Sequence, residues 1–289
     1  MPTGLMSGSV KTLGSSVDIL LAMALQEDLG HGDVTTEAIF DPEHQARAVV
    51  FGREPFVLSG SYGFLRVFQL LDSSVRAEPL ARDGDLVPAQ VPVFRLQGPT
   101  RALLAGERTA LNLLQRLCGI ATLTRQMVEA LQGTSCRLLD TRKTTPLWRA
   151  LEKQAVCHGG GKNHRFGLFD GVLIKDNHVA SLGGVAPAVQ KAREKVPHTL
   201  KIEVEVETLE ELVEAVHAGA DVVLLDNFSL EDLRKAVEIN GGRCLLEASG
   251  GINLETVGAV ARTGVDFVSC GALTHSARAV DLTMEMITK

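Results

Sequence analysis

Apolar residues change their rhythm along this chain near Cys136. Before that point the periods are mixed. Residues up to about Ser16 are small and polar and read as a lead-in, whereas Val17 to Leu29 carries apolar side chains on a helical period that stops at Gly30. HGDVTT then reads as a loop, Ala46 to Phe51 as a strand, and SYGFLRVFQLLD after Gly60 as an amphipathic helix. Val75 to Phe94 is short-strand material punctuated by Asp83-Gly84-Asp85, Pro88 and Pro92. A long helical stretch, Thr100 to Leu131, follows with a weak point at Cys118-Gly119. The first third thus reads as a small α+β layer.

From Cys136 onward, strand-length apolar runs recur: CRLLD, GVLIKD, LKIEVEVE, DVVLLDN, CLLEASGG and DFVSCG. Helical patterns such as LEELVEAVHAG, SLEDLRKAVEIN and LETVGAVARTG lie between most of them. Such alternation means parallel strands joined by right-handed crossovers, and six units approach a barrel. Almost every run ends in polar or small residues: Asp140-Thr141-Arg142-Lys143, Lys175-Asp176-Asn177, Glu205, Asp226-Asn227, Ser249-Gly250-Gly251 and Gly271. Active sites of (β/α) barrels lie at that carboxyl rim, so the pattern predicts one mouth lined by cations, two carboxylates and glycine turns.

Composition narrows the class. The chain has 289 residues, is 45% hydrophobic and only 4% aromatic, which suits Ala-, Val- and Leu-rich helices packed on a parallel sheet. Its length allows one large domain or two smaller ones. No apolar run reaches membrane-spanning length, and MPTGLMSGSVKTLGSS lacks a signal-peptide core. The five cysteines are odd in number without CxxC spacing, so a reduced, cytoplasmic protein is expected.

Charge singles out one window. The whole chain carries 29 Lys+Arg against 35 Asp+Glu. Asp140 to His178 runs the other way, with seven cations (Arg142, Lys143, Arg149, Lys153, Lys162, Arg165, Lys175) against four carboxylates. Cations gathered on an acidic molecule focus field for a small anion; a nucleic-acid surface would more often make the whole domain basic. Arginine forks match carboxylates and lysine acts as a point charge, so a mouth holding both suits a ligand with carboxylate and phosphate groups. His164 beside Arg165 reads as a second donor to that anion, His178 reads as either a weaker donor or a structural hydrogen bond, and His158 reads as structural. Thr145-Pro146 reads as a helix start and Gly159-Gly160-Gly161 as a helix end. In LKIEVEVE, Lys201, Glu203 and Glu205 should point into the barrel, with Lys201 and Glu203 in structural ion pairs. Glu205 and Asp226 at the rim could hold Mg²⁺ on a phosphate or balance Lys143 and Lys175. Two successive glycine turns, Ser249-Gly250-Gly251 and Gly271, point to a phosphate cradle.

DTRKTTP, EKQAVCHGGGKNHRFGLFDGVLIKDNH, EVEVE, LLDNF and EASGGIN, with EDLGHGDVTT near the start, closely resemble the quinolinate phosphoribosyltransferases, from about Glu27 to Thr274. The resemblance implies an N-terminal α/β sandwich, residues 1–118 joined by the tail 276–289, and an incomplete (β/α) TIM-like barrel over 119–275. It implies transfer of phosphoribosyl from phosphoribosyl pyrophosphate (PRPP) to quinolinate, with nicotinate mononucleotide, pyrophosphate and CO₂ as products. By the same likeness Arg142, Lys143, His164, Arg165 and Lys175 would bind quinolinate, joined by Arg108 from the partner subunit of a homodimer. Glu205 and Asp226 would serve the ribose and Mg²⁺-pyrophosphate, with Lys143, Glu205 and Asp226 as the catalytic set. Ser249, Gly250, Gly251 and Gly271 would take the 5′-phosphate. No organic cofactor, nucleic acid or membrane is expected, and assembly of dimers into hexamers is left open. Two alternatives stay on the table: a nicotinate phosphoribosyltransferase, and a phosphate-binding barrel without catalysis.

Overall fold

The structure, a computed structural model, describes residues 5–287. The chain begins with α1 (Leu5–Leu29), α2 (Val34–Ile39), β1 (Gln45–Gly52), β2 (Phe56–Val57), α3 (Ser61–Leu71), β3 (Arg76–Pro79), β4 (Leu86–Val87) and β5 (Pro92–Pro99). It continues through α4 (Thr100–Ala130), β6 (Arg137–Leu139), α5 (Arg149–His158), β7 (Val172–Ile174), α6 (Asp176–Leu182), α7 (Val185–Lys195), β8 (Ile202–Val206) and α8 (Leu209–His217). The last elements are β9 (Val222–Asp226), α9 (Leu230–Asn240), β10 (Leu245–Ser249), α10 (Val257–Ala261), β11 (Phe267–Ser269), α11 (Ala272–His275) and β12 (Leu282–Met286). No helix of the described residues is long and apolar enough to cross a membrane, and no disulfide joins any two of the five cysteines.

These elements form two compact units. The first comprises Met1–Thr122, Pro146–Gly159 and Ala277–Lys289. Its antiparallel sheet runs β12-β1-β5-β3, so the far end of the chain supplies an edge strand, with Glu285 opposite Val49. β5 carries prolines only at its two ends, where a missing N–H costs the ladder little. The few aromatic residues concentrate here: Phe64 stacks on Phe94 at 4.5 Å and meets Phe68 edge-on at 5.3 Å, all three fully buried. Ser59, His158 and Asp83 also converge. Ser59 Oγ lies 2.9 Å from His158 Nδ1 and Asp83 Oδ2 lies 4.0 Å from the same nitrogen. Serine and aspartate compete for one atom rather than flanking the ring, so this is packing and not a nucleophile relay.

The second unit comprises Leu123–Thr145 and Gly160–Ser276. Its six strands are all parallel in the order β6-β11-β10-β9-β8-β7. Chain order is therefore cyclic, with β6 and β7 left as the two edges, which is an incomplete TIM-like barrel. The strands form because Ile202, Val204 and Val206 alternate with Glu203 and Glu205 in β8, burying one set against the helices. Helix starts are fixed by short polar caps: Thr208 accepts from the Glu211 amide and Ser229 from the Asp232 amide.

Four local expectations change. α1 begins at Leu5 rather than Val17, no proline interrupting the stretch. HGDVTT is not all loop, because Asp33 caps α2 by accepting from the Thr36 amide at 3.0 Å. α5 starts at Arg149, later than Thr145-Pro146 suggests, with Trp148 as its N-cap residue and no side-chain cap, after Leu147 at a φ of 68°. α4 runs unbroken through Gly119. A Cβ there would press on the carbonyl oxygen of Arg278 and lie 3.0 Å from its carbonyl carbon, so glycine marks a close backbone approach and not a weak point. Alanine at a helix interior normally gains about 1 kcal/mol over glycine. Here overpacking, costing about 1–3 kcal/mol, should outweigh it. Gly119→Ala is expected to lower the urea midpoint; an unchanged or raised midpoint would contradict so close an approach.

Candidate active site

The site is built on the gap between the edge strands β6 and β7. Lys162 runs beside β6, its N–H donating to Leu138 and its carbonyl accepting from Asp140. The Asp140 carboxylate, fully buried, then accepts from Asn163 Nδ2 at 2.6 Å and from the His164 amide at 2.8 Å. A buried carboxylate survives only with such donors, so Asp140 fastens the Lys162–Arg165 segment into the gap.

Fastening the backbone there turns the His164 ring inward. Its Nε2 lies 2.9 Å from Glu203 Oε2 and 3.7 Å from Glu247 Oε2, and its Nδ1 accepts the Arg165 amide at 2.7 Å. Glu203 and Glu247 are both buried, and their Oε1 atoms have no hydrogen-bond partner. Burial first, then the neighbouring Glu203 charge, pushes the Glu247 carboxyl up to about 7. A cavity of about 500 Å³ reaches this cluster among the first residues of β6, β7, β9, β10 and β11.

At the carboxyl ends of the strands, the expected residues fall in cyclic order. Lys143 follows β6, and a Cβ on Gly271 after β11 would lie 2.8 Å from its Cδ. Thr274 Oγ1 ties down the Lys143 carbonyl at 2.8 Å. Ser249 ends β10, and its carbonyl accepts the Asn227 amide at 2.9 Å. Gly250, at a φ of 94°, packs on Asn227, whose Nδ2 in turn donates to Asp226 Oδ2 at 2.8 Å. Glu205 near the end of β8 forms an ion pair with Lys175 after β7. His178 Nδ1 accepts the Lys175 amide at 2.9 Å, which makes this histidine structural.

Both recognised domains of one family match this chain. Residues 33–118 match "Quinolinate phosphoribosyl transferase, N-terminal domain" and residues 120–285 match its C-terminal domain. The chain belongs to the quinolinate phosphoribosyltransferase family. It is 45% identical over 260 residues to the probable nicotinate-nucleotide pyrophosphorylase [carboxylating] of Bacillus subtilis, covering 90% of each chain. Among solved structures it is similar to NadC from Streptococcus pyogenes, with a TM-score of 0.90 and 43% identity over 94% of this chain and 96% of that one. The nicotinate-nucleotide pyrophosphorylase from Francisella tularensis gives a TM-score of 0.91 at 42% identity, again over 94% and 96%.

Two residues sit differently from the sequence expectation. His164 does not face outward to an anion, since both ring nitrogens are taken up inside the barrel. Arg165 donates from Nη1 to the Gly171 carbonyl at 3.1 Å, at the foot of β7, whereas Lys175 stands at its head. Burial, then the nearby Arg142 charge, holds the Arg165 guanidinium below its ordinary value, so these two cations share one neighbourhood. Glu203, expected in a structural ion pair with Lys201 or a neighbouring charge, takes His164 as its partner. Arg108 belongs to the first unit, exposed on α4 beside a cavity of about 380 Å³ with Glu27, Asp28 and Trp148.

Asp140 and Glu247 do not stand out in the sequence as site residues. Asp140 was visible only as a strand end; Glu247 shares the inward period of Ser249 in CLLEASGG, which is the signal that could have found it.

Glu247 yields a pH prediction. Its carboxyl rises from the usual 4.5 to about 7, so the folded state holds a proton that the unfolded chain has lost. Stability contributed by this group is present at low pH and falls as pH rises through that interval, by roughly 3 kcal/mol. Glu247→Gln should remove that slope: urea unfolding at about pH 5 and about pH 8 should show the variant gaining on the parent at the higher pH. Parallel curves would contradict a raised carboxyl.

Proposed function

We propose that this chain transfers the phosphoribosyl group of PRPP to quinolinate with loss of CO₂, giving nicotinate mononucleotide and pyrophosphate. The observation that carries the reading is the family match over residues 33–118 and 120–285, joined to the rim itself. Lys143, Lys175, Glu205, Asp226, the Ser249–Gly251 turn and Gly271 all lie at the carboxyl ends of adjacent strands.

In this reading the pyridine nitrogen of quinolinate attacks C1 of the ribose as pyrophosphate departs, so no enzyme nucleophile is required. Positive charge grows at C1, where Glu205 and Asp226 favour it, and negative charge grows on the leaving oxygens, where Lys143 on the cationic rim stabilises it. Glu205 and Asp226 offer hard oxygen donors, one Asp226 oxygen being held by Asn227, and this donor set fits Mg²⁺ brought in with pyrophosphate. When bound, Mg²⁺ supplies charge neutralisation for the leaving group. The ribosylated ring carries a positive charge and accepts the electron pair left at C2 when CO₂ departs; a proton then replaces the carboxylate. Arg142 and Arg165 orient the two carboxylates, Arg165 keeping guanidinium donors beyond the one given to Gly171. The backbone at Ser249, Gly250, Gly251 and Gly271 cradles the 5′-phosphate.

The number of cations favours a dicarboxylate over the monocarboxylate of a nicotinate-using enzyme. The test is quinolinate labelled in its 2-carboxylate, incubated with PRPP and Mg²⁺. Labelled CO₂ in step with nicotinate mononucleotide is the expected result; turnover of nicotinate alone, or none, would overturn the reading. Arg142→Ala should lower kcat/KM for quinolinate by about 100-fold, the worth of a lost charge-assisted fork of roughly 3 kcal/mol. Its circular dichroism should be unchanged, and near-normal efficiency would remove Arg142 from the site.

The exposed Arg108 is read as completing the site of a second copy in a homodimer. Arg108→Ala and Lys175→Ala proteins, each inactive alone, should regain turnover when mixed. No recovery after verified subunit exchange would return Arg108 to its own chain.

A further inference from the structure

The inward-facing His164 has two hydrogen bonds that only one neutral form of the ring satisfies. A backbone N–H can only donate, so the Arg165 amide at 2.7 Å requires a lone pair on Nδ1. The ring proton then sits on Nε2, directed at Glu203 Oε2 at 2.9 Å with Glu247 Oε2 behind it at 3.7 Å. The three ligand atoms of His164, Glu203 and Glu247 lie within 4.8 Å of one another, which also suggests a metal site. The Arg165 amide speaks against that. A metal on Nε2 would need the proton on Nδ1, where it would face the Arg165 N–H head-on.

We propose that Glu203 and Glu247 are positioning residues: they hold His164 in its Nε2–H form, and the ring, through Nδ1, fixes the amide of Arg165 and hence where its guanidinium is presented. This deepens the proposed function, since it rests on Arg165 gripping a substrate carboxylate. The imidazole is a strut spanning the barrel interior and the segment filling the β6–β7 gap. Asp140 holds the His164 amide from the other side at 2.8 Å, so ring and backbone are anchored independently. Glu203 makes the bond to the ring; Glu247, two strands away on β10, backs the same nitrogen without reaching hydrogen-bond distance. A carbonyl oxygen in place of the Glu203 carboxylate could still accept from Nε2, whereas a methyl group could not.

The experiment pairs kinetics with nitrogen-15 NMR of the histidine rings, the His164 signals being assigned by their loss in His164→Gln. In the parent protein, long-range proton–nitrogen correlations should show Nδ1 unprotonated and Nε2 protonated. Glu203→Gln should keep that pattern and a quinolinate KM within about 3-fold of the parent. Glu203→Ala should mix the two ring forms and raise the quinolinate KM by about 10-fold or more, while kcat at saturation and the KM for PRPP move little. A proton on Nδ1 in the parent would overturn the proposal, even if the alanine variant fails to fold. So would an alanine variant with parental KM, or stoichiometric Zn²⁺ binding to the parent that the alanine variant loses. A parent that fails to turn over quinolinate sinks the functional reading alone, because the ring form remains measurable without substrate.

Discussion

The arrangement depends on one buried carboxylate. Six parallel strands do not close a barrel, and the gap between β6 and β7 must be filled by a segment with its own polar backbone. Asp140, at the end of β6, meets that demand by taking the Asn163 side chain and the His164 amide, while the Lys162 main chain extends the β6 ladder. An unpaired charge at this depth would cost several kcal/mol. With its donors in place it instead specifies where the next residues go. Arg142 lies two positions beyond Asp140 and Arg165 one position beyond His164, so one clamp brings two guanidiniums from distant parts of the sequence into one neighbourhood.

That neighbourhood is electrostatically unfinished. Burial, and then the nearby Arg142 charge, hold the Arg165 guanidinium below its ordinary value, so an anion beside it would relieve that repulsion. At the head of β7, Lys175 is engaged by Glu205, but the lysine is 41% exposed, and an ion pair of that kind is worth less than about 1 kcal/mol. Such a pair exchanges easily for a phosphate or carboxylate. A protein of net charge −6 that concentrates cations in this way focuses its field at that cluster.

Much of this was legible in the chain. Parallel strands covered on both faces must be short continuous apolar runs, and the polar residues that end them must gather at one rim, so β6 to β11 and Lys143, Lys175, Glu205, Asp226 and the glycine turns could be placed from pattern. What escaped depended on partners far away in sequence. His164 and Arg165 look like one outward pair, and only Glu203 and Glu247, on two other strands, decide that the ring turns in. Gly119 looks like a weak point of the helix until the chain at Arg278 is seen against it. Local signals misled in the same way at Thr145-Pro146, where α5 starts later, and at Asp33, whose cap makes a helix of a turn-like run.

The claim that the clamped segment and the strand ends together form a dicarboxylate socket is tested most directly by a crystal structure with quinolinate bound. The account predicts the pyridine ring at the carboxyl end of the barrel, its two acid groups bonded by Arg142 and Arg165 with Lys175 close by, and Asp140 still holding Asn163 and His164. Quinolinate lodged elsewhere, or bound with Arg165 still turned to the Gly171 carbonyl and no acid group on it, would contradict that claim.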